Sequence, residues 1–221
     1  MFESLPEDAR NLVNWSWDDF QPFFLDLTNR VLSASTMEKF LADWTRLSER
    51  VDEAFTRLYV QTTVNTADKD ATVRYHAFLE EMYPQVEAFE EKLKKKLLDT
   101  GLIPEGFALP LQRMAAEVEL FAEENLPLLV EERKLCTEYD KIIGAQTLVW
   151  NGEELTIAQL RPFLQSPDRS VREDVWRAGA ARQLEDREAI NELWQRFLKL
   201  RITLPIHVGL PGYREYRWKQ M

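Results

Sequence analysis

The sequence predicts a mainly α-helical protein with one small β-hairpin, on three observations. All seven glycines lie beyond position 100, and Pro6, Pro22 and Pro84 are the only prolines among the first hundred residues. So few breakers leave room for long helices. Within that stretch, Met37, Phe40, Leu41, Trp44, Leu47, Val51, Ala54, Phe55 and Leu58 recur at steps of three and four, which is one stripe on one helical face. Asn151-Gly152 then separates Thr147-Leu148-Val149-Trp150 from Glu153-Glu154-Leu155-Thr156. Asn-Gly supplies the two positive-φ positions of a type I′ turn, so a two-stranded hairpin is expected near 147–156.

The helices follow in order. Ser16 with Asp19 makes a capping box for a first helix over about 17–31, with Pro22 near its first turn. Ser35 or Thr36 caps the second helix, and Asn65-Thr66-Ala67-Asp68 marks the turn after it. A third helix carries Val73, Phe78, Leu79, Met82, Val86, Phe89, Leu93 and Leu97, with Pro84 predicting a kink. Lys92, Lys94, Lys95 and Lys96 sit where the helix dipole favours cations, and Gly101 ends the helix. The second and third helices are expected to pair as a long antiparallel hairpin with narrow apolar seams, close to a coiled coil. Beyond Pro104 and Pro110 a shorter helix uses Leu111, Met114, Ala115, Val118 and Phe121. Asn125 then caps a helix with Pro127 in its first turn, running to about 143. After the hairpin, Thr156 starts a short helix reaching 163, and Ser166-Pro167-Asp168 starts another with Val171, Val175 and Ala178. A last long helix uses Ile190, Leu193, Trp194, Phe197 and Leu198 and ends near Pro205; the segment 207–221 reads as a loop and then an aromatic-rich start of a further element. The breakers at 101–110 divide the chain into a helical lobe, 1–104, holding the long hairpin, and a helical segment with the β-hairpin, 105–221.

Composition excludes several classes. Hydrophobic residues are 45%, charged residues 30% and aromatic residues 11%, a payload that packs rather than one that stays disordered. The net charge of -10 opposes nucleic-acid binding, which needs clustered Lys and Arg. One cysteine, Cys136, rules out an intrachain disulfide. The acidic N-terminus lacks the basic and apolar regions of a signal peptide, and no apolar run approaches the ~20 residues of a membrane span. A cytoplasmic protein with no membrane partner is expected.

No catalytic, cofactor-binding or metal-binding residue is assigned. His76 and Glu80 share a helix face, but a zinc site needs three or four converging ligands. Neither His76 nor His207 is followed by Glu, and positions 73 and 204 are Val and Leu, so His-Glu-x-x-His and Glu-x-x-His are both missing. His207 lies in a loop, where a substrate contact is conceivable. Cys136 is read as a small apolar group on a buried stripe with Leu135 and Tyr139. The pairs Glu80-Glu81, Glu90-Glu91, Glu123-Glu124 and Glu131-Glu132 are read as solvated helix faces rather than glycosidase carboxylates. No Gly-x-Gly or Gly-x-Ser-x-Gly occurs. Tyr213, Tyr216 and Trp218 with Arg214 and Arg217 could stack bases, but packing is the better reading.

The segment 139–177 is more specific. Tyr139-Asp140, Gln146-Thr147, Trp150-Asn151-Gly152-Glu153, Asp168-Arg169-Ser170-Val171-Arg172 and Trp176-Arg177 occur in that order. Leu200-Arg201, Gly209 and Tyr213-Arg214-Glu215-Tyr216 follow. This series resembles the N-terminal half of M3-family zinc metallopeptidases, the oligoendopeptidase F group. The likeness is specific over roughly 128–218 and generic before it. The run Ile202-Thr203-Leu204-Pro205-Ile206-His207-Val208 departs from the polar, Ala-rich family pattern. The resemblance implies a hydrolase of short peptides whose zinc, bound by His-Glu-x-x-His and a further glutamate, belongs to a C-terminal half. This chain would be the non-catalytic N-terminal wall of the peptide channel, with 105–221 starting the peptidase domain. By itself it would hold no cofactor and be inactive, and the catalytic half would pack against it. The alternative is a freestanding helical interaction or scaffold protein, with the long helix hairpin offering the binding face.

Overall fold

A computed structural model describes residues 2–221. The first helix, α1 (Trp17–Asn29), opens on the expected box: the Asp19 carboxylate accepts from the backbone N–H of Ser16 at 2.8 Å and from its hydroxyl at 2.9 Å. Helix α2 (Met37–Val64) is the longest element. Thr36 precedes it but caps nothing; its hydroxyl accepts from Ser33 N–H (2.9 Å) and donates to the Val31 carbonyl (3.1 Å), closing the incoming loop instead. After the Asn65 turn, the Asp68 carboxylate accepts from Ala71 N–H at 2.9 Å and starts α3 (Lys69–Ala77).

The kink expected from Pro84 takes a specific form. Residues Phe78–Met82 form a π turn between α3 and α4 (Tyr83–Asp99), and the N–H of Tyr83 donates to the carbonyl of Phe78, five residues back. Proline has no N–H and its ring crowds the carbonyl four residues earlier. The widened turn takes up both defects without breaking the helix. Gly101, at φ +64, ends α4 as its position predicts.

Helices α5 (Ala108–Leu120) and α6 (Leu126–Gly144) follow. Strands β1 (Thr147–Trp150) and β2 (Glu153–Thr156) pair antiparallel with Trp150 opposite Glu153. Asn151 at φ 55 and Gly152 at φ 85 form the predicted positive-φ turn. The short helix expected from Thr156 is two 3-10 turns, Ala158–Leu160 and Phe163–Gln165. Asp168 caps α7 (Arg169–Glu185), accepting from Ser170 N–H at 2.8 Å. Helix α8 (Arg187–Ile206) carries Pro205 in its last turn, and α9 (Tyr213–Lys219) is the aromatic-rich element. Among the described residues no helix is long and apolar enough to cross a membrane.

The expected two-stranded seam is corrected. Helix α1 lies against α4, with Phe89 touching Phe24 (5.6 Å between ring centres) and Trp17 (5.3 Å). The main core therefore joins α1, α2, α3, the π turn and α4, and one residue of α6, Val130, enters it. Phe2, Leu5 and Leu12 plug one side, held there by α2: Arg46 donates to the carbonyls of Phe2 (3.0 Å) and Leu5 (2.9 Å). Two smaller cores lie beyond: Leu120, Leu204 and Tyr216 join α5, α8 and α9, and Leu135, Leu193 and Phe197 join α6 to α8.

Candidate functional site

A cleft of about 560 Å³ opens between α4 and α5 on one side and α6, α8 and α9 on the other. Its walls are built from both cores, and ion pairs fix their spacing. Lys94 on α4 binds Glu117 on α5 at 2.8 Å. Arg201 on α8 binds Glu132 on α6 at 2.9 Å, and the Tyr213 hydroxyl donates to the same carboxylate at 3.3 Å. The Arg201 guanidinium also lies over the rings of Phe197 (4.9 Å), Tyr213 (5.3 Å) and Trp194 (5.4 Å). A planar cation suits this mixed aromatic and carboxylate seat better than an ammonium would.

Arg133 on α6 supplies a second cation to the cleft, 4.7 Å from the ring centres of both Phe55 and Tyr83. Burial, with Glu87 beside it, pushes the Tyr83 phenol up to about 12. Burial likewise raises the carboxyls of Glu87 and Asp52 above the ordinary range, against the pull of Arg133. The cleft thus mixes fixed cations, aromatic faces and desolvated acids, an arrangement that can hold and orient a polar chain.

The candidate residues fall as follows. Cys136 is exposed at the cleft, not on a buried stripe; α6 buries Val130, Leu135 and Thr137 instead. Desolvation, with Glu132 and Asp140 nearby, raises its thiol, which disfavours a thiolate nucleophile. Tyr139 is also exposed. His76 feels the charge of Glu80, but the Glu80 carboxylate is bound by Lys134. Burial and the cations Lys134 and Lys141 hold the His76 imidazole below its ordinary value. His207 meets Asn125, with its Nδ1 2.7 Å from the amide oxygen. Asn125 was expected to cap α6, but its side chain caps nothing there. It is buried, and its amide nitrogen donates to the carbonyl of Leu204 at 3.0 Å. With the nitrogen so committed, the amide oxygen is the acceptor and Nδ1 of His207 the donor.

Glu90 and Glu91 are not a solvated face. Glu90 accepts from Trp44 Nε1 at 2.9 Å and from the Ser48 hydroxyl at 2.8 Å, and burial raises its carboxyl. Glu91 is buried and paired with Lys95 at 2.9 Å. Glu131 and Glu132 are ion-paired with Arg196 and Arg201, while Glu123 and Glu124 are exposed as expected. Tyr216 is buried and stacks on Tyr213; Trp218 is the exposed ring of the set, with Arg214 over it. Sequence reasoning missed Arg133 and Glu87, which have no motif around them, and named Arg201 only within the Leu200-Arg201 resemblance, not as a cleft residue.

The donor chemistry does not fit a zinc ion. His207 is committed to Asn125, His76 faces two lysines, and no group of three or more His, Cys, Asp or Glu side chains converges among the described residues.

A family model described as the peptidase M3 N-terminal domain matches residues 11–105. The match lies before residue 128, where the sequence resemblance is generic. No curated protein matches the chain. Three solved structures share its fold. PZ peptidase A, solved with an inhibitor, has a TM-score of 0.81 at 20% identity, covering 100% of this chain and 39% of that chain. A protein assigned as an oligoendopeptidase F gives 0.81 and 20%, covering 99% and 39%. A third, from Bacillus anthracis str. Ames and assigned to the same group, gives 0.76 and 18%, covering 99% and 40%. The chain spans about 39% of the length of the first two. The whole chain, including residues 11–105, thus shares its fold with part of these peptidase structures.

Proposed function

We propose that this chain is the non-catalytic channel wall of a zinc-dependent oligopeptidase acting on short peptides in the cytoplasm. The carrying observation is the M3 N-terminal domain at 11–105 within a fold that matches M3-type peptidases along the whole chain. In this reading the zinc ligands and the activated water belong to a lobe outside these residues. Residues 1–104 act as one lobe, since almost the whole main core comes from them, and 105–221 as the segment that starts the peptidase domain. The cleft supplies cations and aromatic faces along which a peptide backbone and its carboxylates are held. Incubation with short fluorogenic peptides and zinc tests the reading. The 221-residue chain should give no turnover, and the complete gene product should give turnover that a chelator abolishes. Turnover by the pure 221-residue chain would overturn it.

A further inference from the structure

Helix α8 is apolar on two sides. Leu193, Phe197 and Leu204 are buried in the two smaller cores. On another face Trp194, Leu198, Ile202 and Ile206 follow at steps of four, and they are 58%, 51%, 56% and 63% exposed. Twelve residues of helix place this apolar row along about 18 Å. A helix that is apolar on more than one side belongs in the interior of a larger body, and large apolar patches mark interaction sites. The row contains a tryptophan and two isoleucines and no charge, the composition of an interface core rather than a rim.

We propose that this second face of α8 seats the catalytic lobe of a longer M3 peptidase chain. The inference rests on the reading in the preceding section and deepens it by assigning the surface. In the solved structures that match this chain, the shared fold is 39–40% of the polypeptide, so it stands beside more than its own length of further chain. An uncharged row of this length asks for a packed apolar protein surface, which that further chain can present. Arg201 adds rigidity at the seat, because it clamps Trp194 from the cleft side while bound to Glu132.

Hydroxyl-radical footprinting of the 221-residue chain and of the complete gene product tests this. Trp194, Leu198 and Ile202 should oxidise readily in the former and at least ~10-fold more slowly in the latter, as a buried interface core requires. The exposed Val31 and Val64 on the first lobe serve as references. Equal rates at Trp194 in a longer product that still cleaves peptides would overturn the docking face and leave the peptidase reading standing. Concentration-dependent protection in the 221-residue chain alone would put a second copy there and overturn the assignment of the occupant. A gene product that ends at 221 residues and cleaves nothing would overturn the peptidase reading and this inference with it. The double change Leu198→Glu and Ile202→Glu should leave the melting temperature of the 221-residue chain unchanged and abolish the protection of Trp194 in the longer product.

Discussion

Replacing Asn125 with Ala should loosen the joint between α6 and α8 more than its size suggests. Asn125 is 2% exposed, and its amide nitrogen meets the Leu204 carbonyl at 3.0 Å. That carbonyl belongs to the last turn of α8, where it would ordinarily accept from Val208; here Val208 N–H donates to Pro205 instead, at 3.2 Å. Asn125 therefore serves a helix-end acceptor 79 residues away. Alanine removes the donor and leaves a buried carbonyl without a partner, which costs about 1–3 kcal/mol. Taking about 2 kcal/mol, and ~2–4 °C per kcal/mol for a chain of this size, the melting temperature should fall by about 4–8 °C. Urea unfolding followed by far-ultraviolet circular dichroism measures the free energy, and calorimetry the temperature. His207→Ala is the comparison, because His207 is exposed and water can replace it on the Asn125 oxygen; it should cost under ~1 kcal/mol. Asn125→Asp should be no better than Ala, since a carboxylate cannot donate to the carbonyl. The reasoning fails if Asn125→Ala lies within ~0.5 kcal/mol of the parent, or if His207→Ala costs as much.

Three other changes test separate joints. Gly144→Ala puts a Cβ 2.5 Å from Thr66 Oγ1, so unfolding experiments should show a loss of ~1–3 kcal/mol, relieved by adding Thr66→Gly. Gly152→Val forces a β-branched residue to φ 85 and should cost ~1–2 kcal/mol, with amide exchange in 147–156 speeding up before the rest of the chain. Glu90→Gln tests the buried carboxyl between α2 and α4. Burial raises the folded pKa of Glu90 above 4.5, so the folded state binds its proton more tightly and stability falls as pH rises through the folded value. Urea midpoints measured on both sides of that range should show Glu90→Gln gaining on the parent as pH rises; a constant difference would count against it.

Much of the helical frame is legible from the sequence because it is a local property. The stripe from Met37 to Leu58 is periodic in any context, and all its members except Phe55 are buried, with Phe55 packed at the edge of the core. Asn151-Gly152 demands its turn by backbone sterics alone. What is not legible depends on partners far along the chain. Asn125 looks like a cap because Asn precedes Pro127, yet its partner lies at the far end of α8. Glu90 looks solvated because it sits beside a second glutamate, yet Trp44 and Ser48 of α2 bury it. Cys136 misleads by one position: α6 turns Leu135 and Thr137 inward and leaves the thiol at the cleft. Pro84 signals a break from sequence, and the structure answers it with a π turn whose Phe78, Leu79 and Met82 are buried in the core.

The cleft itself illustrates why a motif search returns no site here. Its fixed charges are not neighbours in sequence: Lys94 meets Glu117 across a turn, and Arg201 meets Glu132 across 69 residues. Each pair holds one wall in place and leaves Arg133 facing the cleft from α6, its guanidinium braced by two rings. Such an assembly fixes spacing and orientation, with Glu132 ion-paired and burial raising the Glu87 carboxyl and the Cys136 thiol. Changes at Asn125, Lys94 or Arg201 should therefore act on the shape of the cleft through stability.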